Sequence, residues 1–155
     1  MEENICKKAG TVNEMRLTLP AISQNEAVAR AAVAVFCTQM EPDAAALADI
    51  KCAVSEAVTN CIVHAYREKK GSVYITVTLF ADRTVRIAVE DKGCGIADVA
   101  RAREPLFTTD EEGERSGMGF TVMENFMDRL YVSSREGKGT TVVLVKHLGR
   151  AVGEE

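Results

Sequence analysis

The sequence predicts a two-layer α/β (α+β) sandwich, a mixed but mostly antiparallel sheet with helices on one face. Three observations carry this: several short segments alternate apolar and polar residues, three longer ones repeat apolar residues every three or four positions, and glycine or proline separates them. At 155 residues the chain fits one compact domain. The expected division is a flexible leader over 1–13, a single domain over 14–148 and a polar tail over 149–155.

Met15 to Leu19 alternates before Pro20, as a half-buried strand does when a residue without an N–H ends its ladder. Ser23 or Asn25 can cap a helix running to about Met40, with Ala27, Ala31 and Val35 expected on its inner face. Pro42-Asp43 opens a second helix to about Tyr66, whose Leu47, Ile50, Val54, Ala57, Val58, Cys61 and Ile62 recur at helical spacing. Val73 to Leu79 and Val85 to Val89 alternate around a turn at Ala81-Asp82 and predict a β-hairpin. A glycine- and charge-rich stretch from Asp91 to Gly119 has room for one short helix near Ile96 to Arg103. A helix from about Phe120 to Arg129 then leads to strands over 130–134 and 140–146, joined at Glu136-Gly-Lys-Gly139.

Composition narrows the function classes. The chain is 46% hydrophobic and 27% charged, with no apolar run near the roughly 20 residues that cross a bilayer and no export signal at its start, so it is expected in the cytoplasm and off the membrane. Five cysteines at irregular gaps, without a C-x-x-C pair, suggest reduced and mostly buried thiols rather than a disulfide framework or a zinc site. A net charge of −4 without a basic block argues against direct nucleic-acid binding.

Three segments carry candidate chemistry. Glu56 and Asn60, four residues apart on the second helix, share one face. Taken alone, a solvated polar stripe is the commoner outcome for such a pair. Asp91-Lys-Gly-Cys-Gly95 follows an apolar strand, and its two glycines suit either a turn or a ligand lying against the backbone. Ser116-Gly-Met-Gly119 precedes a helix, whose N-terminal N–H groups favour anions such as phosphate. A Walker loop and the H-R-D and D-F-G pair of the common protein kinases are absent.

In order, helix with Glu56 and Asn60, hairpin, D-x-G-x-G, glycine pair, helix and a final glycine turn before Thr140, the chain from about Met15 to Lys146 resembles the GHKL (Bergerat-type) ATP-binding fold. That fold is shared by gyrase, a heat-shock chaperone, histidine kinases and mismatch-repair ATPases. The strings Ser55-Glu-Ala-Val-Thr-Asn60, Pro105-Leu-Phe-Thr-Thr109 and Arg115-Ser-Gly-Met-Gly-Phe120 further resemble the anti-sigma F serine kinases of endospore-forming bacteria.

The resemblance implies a serine/threonine protein kinase that uses ATP or ADP with Mg²⁺, holds a sporulation sigma factor inactive and phosphorylates an anti-anti-sigma protein on serine. It also implies a homodimer. Glu56 would be the base, Asn60 the magnesium ligand, Arg115 the arginine reaching the terminal phosphate, and Asp91 the acceptor of the adenine amino group. Gly93, Gly95, Thr108, Thr109, Ser116, Gly117, Gly119 and Thr140 would line the nucleotide, and Arg30 would touch the protein partners. Intrinsically, Thr140 is also what a strand prefers and Arg30 is only a basic residue on an apolar helix. His64 is within reach of the metal site but is more commonly structural, and Cys94 has no evident base beside it. Lys92 in the base loop and Ala65, where the family pattern suggests glycine, are departures. A general-stress anti-sigma kinase and a non-catalytic, nucleotide-switched sigma-binding module are the alternatives. A histidine kinase would need an acceptor histidine domain that this chain lacks.

Overall fold

The computed structural model describes residues 10–67, 69–104 and 119–150. Strand β1 (Thr11–Pro20) leads to helix α1 (Gln24–Cys37), which tightens into a 3₁₀ turn over Thr38–Met40. Helix α2 (Ala44–Asn60) follows and loosens into a π-helical turn over Cys61–Ala65. Then come β2 (Ser72–Phe80), β3 (Thr84–Asp91), the short α3 (Val99–Ala102), α4 (Gly119–Phe126), β4 (Arg129–Arg135) and β5 (Gly139–His147). The sheet order is β1-β2-β3-β5-β4.

Among the described residues every strand pairing is antiparallel, in keeping with the mostly antiparallel sheet expected. Strand β1 starts at Thr11, before the expected Met15, because Thr11 and Asn13 pair with Phe80 and Leu79 across a bulge. The last three residues assigned to the leader therefore belong to the sheet.

Alternation decides which side of the sheet is covered. Val73, Ile75, Val77 and Leu79 of β2, Val85, Ile87 and Val89 of β3, and Val142 and Leu144 of β5 are buried in one cluster with the helices. From α2 the cluster takes Ile50, Ala53, Val54, Ala57 and Val58, as the spacing required, while Leu47 and Ile62 pack at its border.

Helix α1 departs from expectation. Its buried residues are Ala29, Val33, Ala34 and Cys37, whereas Ala27 and Ala31 are exposed and Val35 is 69% exposed. The segment is apolar nearly all round, so the rows 27-31-35 and 29-33-37 both satisfy the four-residue spacing, and only packing against helix α2 and strand β1 chooses between them.

Two anchors orient the helices that matter for the site. Asp43 caps α2, its Oδ1 accepting from the N–H of Ala46 at 2.7 Å. Lys146 on β5 donates to Oδ2 of Asp49 on α2 at 3.0 Å and to the carbonyl of Phe126 at the end of α4 at 2.6 Å, so one ammonium ties both helices to the sheet. Among the described residues no helix is long and apolar enough to cross a membrane.

Candidate nucleotide-binding site

Glu56 and Asn60 close the last α-helical turn of α2, half-buried rather than solvated. Their side chains converge on the first residue of α4. A Cβ built on Gly119 would lie 3.3 Å from Oε2 of Glu56 and 3.4 Å from Oδ1 of Asn60. Glycine here lets α4 start against a carboxylate and a carboxamide without displacing either. Chain positions some sixty residues apart thus form one polar corner, as the sequence order suggested.

Immediately after Asn60 the helix widens into the π-helical turn, a distortion often found at functional positions. This turn receives the glycine loop. The N–H of Cys94 donates to the carbonyl of Ala65 at 2.8 Å, and the Cys94 thiol reaches the carbonyl of His64 at 3.5 Å. A Cβ on Gly93 would meet the Ala65 carbonyl oxygen at 2.2 Å, so close backbone approach explains the absence of a side chain there. Gly95 has φ +74 and faces the carbonyl of Arg135 on the other side. The loop is therefore wedged between the end of α2 and the β4–β5 turn, and both glycines are required by protein neighbours. Ala65, the departure from the family pattern, is accommodated because Gly93 gives way to it.

Asp91 ends β3 and points to the helical side. It is 9% exposed. Its Oδ1 accepts from the N–H of Gly93 at 3.0 Å and of Thr140 at 3.2 Å, and its Oδ2 faces the Cys61 thiol at 3.6 Å. Burial pushes the Asp91 carboxyl above the ordinary carboxylate range, against the pull of these donors. The same burial, reinforced by the neighbouring carboxylate, pushes the Cys61 thiol up, so it stays protonated and donates. Buried Cys37 is likewise pushed up to about 12. Of the other described cysteines, Cys94 is half-buried and Cys52 is exposed.

Thr140 stands opposite Asp91 in the β3–β5 register, which brings its N–H to that carboxylate. Its Oγ1 lies 2.7 Å from Oγ of Ser134, which accepts from the N–H of Ile96 at 2.7 Å and contacts the Gly139 carbonyl. Ser134 and Cys61 were not singled out from the sequence. Each looks ordinary in its own element, and only strand register or helix packing shows what it touches.

Arg30 is not brought into this cluster. It pairs with Glu26 one turn earlier at 3.3 Å, and the same Glu26 oxygen accepts from the Ser55 hydroxyl at 2.6 Å. His64 is half-buried in the π-helical turn, and Lys92 stacks its ammonium 4.8 Å from the Tyr74 ring. An open hollow of about 480 Å³, lined by Arg16, Thr18, Tyr74, Thr76, Glu90 and Lys92, sits by strand alternation on the other face of the sheet. Asp91 borders both the hollow and the site. Thr108, Thr109, Arg115, Ser116 and Gly117 lie outside the described residues.

Among the described residues no three His, Cys, Asp or Glu side chains gather to hold a metal. The donor set fits Mg²⁺ all the same, since that ion takes few protein ligands and completes its shell from water and phosphate oxygens.

Residues 19–146 match the histidine kinase-like ATPase domain. Over 140 residues the chain is 53% identical to the anti-sigma F factor of Bacillus subtilis (strain 168), covering 90% of this chain and 95% of that one. This chain belongs to the anti-sigma F factor family. The factor of Caldanaerobacter subterraneus subsp. tengcongensis is also 53% identical, over 138 residues, with 89% and 96% of the two chains covered. Among solved structures, the RsbU and RsbW domains of Rv1364c from Mycobacterium tuberculosis superpose with TM-score 0.66 at 23% identity, over 90% of this chain and 33% of that one. The catalytic domain of the histidine kinase ThkA superposes with TM-score 0.55 at 17% identity, over 88% and 97%. At such identities the structures speak to the fold alone. The α+β architecture and the order of motifs in this anti-sigma F family member agree with both.

Proposed function

We propose that the protein is a cytoplasmic, homodimeric anti-sigma factor and serine/threonine kinase. It holds a sporulation sigma factor inactive and transfers phosphate from Mg-ATP to a serine of an anti-anti-sigma protein. One observation carries the kinase reading: Glu56 and Asn60 meet at the start of α4, and the residue after Asn60 touches the buried Asp91. A proton acceptor, a neutral oxygen ligand and an anionic reader of an amino group thus lie within a few side chains of one another.

Asp91 accepts from the exocyclic amino group of adenine through the oxygen not used by two backbone N–H groups, and guanine, with a carbonyl at that position, is disfavoured. Asn60 would hold Mg²⁺ through its amide oxygen. The bound ion supplies charge neutralisation to the phosphates. Glu56 orients the attacking serine hydroxyl and takes its proton. Arg30, braced by Glu26, serves the partner-facing side of α1, and Arg115 supplies a planar cation to the terminal phosphate. The sigma factor as partner is supported by the 53% identity to relatives known as anti-sigma F factors.

The test is incubation with labelled ATP, magnesium and a candidate anti-anti-sigma protein. Label is expected on a serine, and Glu56→Gln is expected to lower the transfer rate by about 10²- to 10⁴-fold while ATP binding stays within about twofold. Hydrolysis of ATP without labelled protein would replace the kinase reading with an ATPase one.

A further inference from the structure

The base end of the site contains a contact that recognition of adenine does not by itself require. Oδ1 of Asp91 accepts from two backbone N–H groups, and because both oxygens turn together about the Cβ–Cγ bond, a contact at Oδ2 acts on the same broad torsion from its other end. Oδ2 faces the thiol of Cys61, from the first residue of the π-helical turn. Cys61 is 3% exposed, so water does not reach Asp91 from that side.

We propose that Cys61 is a positioning residue for base recognition: its thiol holds Oδ2 of Asp91 and, together with the two backbone N–H groups on Oδ1, narrows the turning of the carboxylate before adenine arrives. This rests on Asp91 as the reader of the amino group. A thiol suits the task because it is a weak donor. An ionised carboxylate oxygen has more than one lone pair, so Oδ2 accepts from sulfur and still offers a strong site to the incoming N–H. The position after Asn60 also gives the contact a second consequence. The same backbone step that presents the amide of Asn60 towards Gly119 turns the next side chain onto Asp91. The two ends of the pocket are therefore set by adjacent residues of one distorted helical turn.

The experiment compares equilibrium binding of ATP and of purine riboside triphosphate, which is ATP without the 6-amino group, in the wild type, Cys61→Ala, Cys61→Val and Cys61→Ser. Thermal melting identifies the variants that fold. Loss of the donor is expected to weaken ATP binding about three- to tenfold, in whichever of the Ala and Val variants folds, and to leave the analogue unchanged. Serine, which keeps a donor, is expected to restore ATP binding. Equal weakening of both nucleotides, or of neither, overturns the positioning role, because a packing defect does not distinguish an amino group. A wild type that binds the two nucleotides equally well instead overturns the role of Asp91, and a wild type that binds neither overturns nucleotide binding itself.

Discussion

The two ends of the proposed pocket are built in opposite ways. Glu56 and Asn60 are one helical turn apart, and their shared face follows from spacing alone. Asp91 instead owes its surroundings to three separate places: the π-helical turn through Cys61, its own loop through Gly93, and β5 through Thr140. The helix end is locally encoded and half-exposed, which suits the exchange of partners that the proposed metal and base roles require. The base end is assembled at long range and buried, which suits one fixed task. A carboxylate kept dry at a cost to the unliganded protein is what the proposed base-reading role asks for.

That contrast has its largest consequence in Asp91→Asn. The amide oxygen can keep both backbone donors, but the other position now presents N–H towards the adenine amino group. ATP affinity is expected to fall about 10- to 100-fold, the range for losing a hydrogen bond to a charged group, and the preference for ATP over GTP to narrow. Isothermal titration checks both. Stability is expected to move the other way. Because the folded-state value of Asp91 lies above its unfolded one, its linkage contributes stability in acid and loses it as pH rises through the elevated folded value. At neutral pH the ionised group is thus a cost, and the unliganded Asn variant is expected to melt no lower than the wild type. The difference should shrink as the buffer is acidified. ATP binding by the wild type should weaken over the same acid range, above that of an ordinary aspartate. A variant that melts well below the wild type at neutral pH would show that the charge is structural after all.

The glycine loop sharpens the comparison from the side of packing. The sequence allowed Gly93 either a turn or a ligand; the carbonyl of Ala65 occupies the space its Cβ would need. Gly93→Ala must push two backbone segments apart, and about 2 kcal/mol of lost stability is expected, read as a lower melting temperature. Weaker ATP binding should accompany it, since the Gly93 N–H that holds Asp91 moves with the loop.

What was legible beforehand follows the same division. The hairpin, the buried stripe of α2 and the Glu56–Asn60 pair were readable because each depends on residues a few positions apart. The buried face of α1 was not, since alanines and valines surround that helix and local spacing fits two answers. Nor was the start of β1, whose first residues are polar and gain their strand only by pairing with the end of β2. Cys61 read as one more apolar position because a thiol has the size and spacing of a core residue. Its contact with Asp91, thirty residues on, is a product of the fold.

Ser134 gives the smallest expected effect and the finest test of the division. Its hydroxyl satisfies the N–H of Ile96 and contacts Oγ1 of Thr140, but it does not touch Asp91. In Ser134→Ala the Ile96 amide loses its partner and the Thr140 hydroxyl loses a neighbour, while the Thr140 N–H, placed by the β3–β5 register, still donates to Oδ1 of Asp91. About 1 kcal/mol of stability should go, with faster hydrogen exchange at the Ile96 amide and an ATP affinity within about threefold of the wild type. The backbone contact, and with it the setting of the carboxylate, is independent of this side chain. An affinity loss as large as that of Asp91→Asn would place base recognition on the Thr140 hydroxyl instead, and the long-range assembly around Asp91 would then serve the sheet rather than the nucleotide.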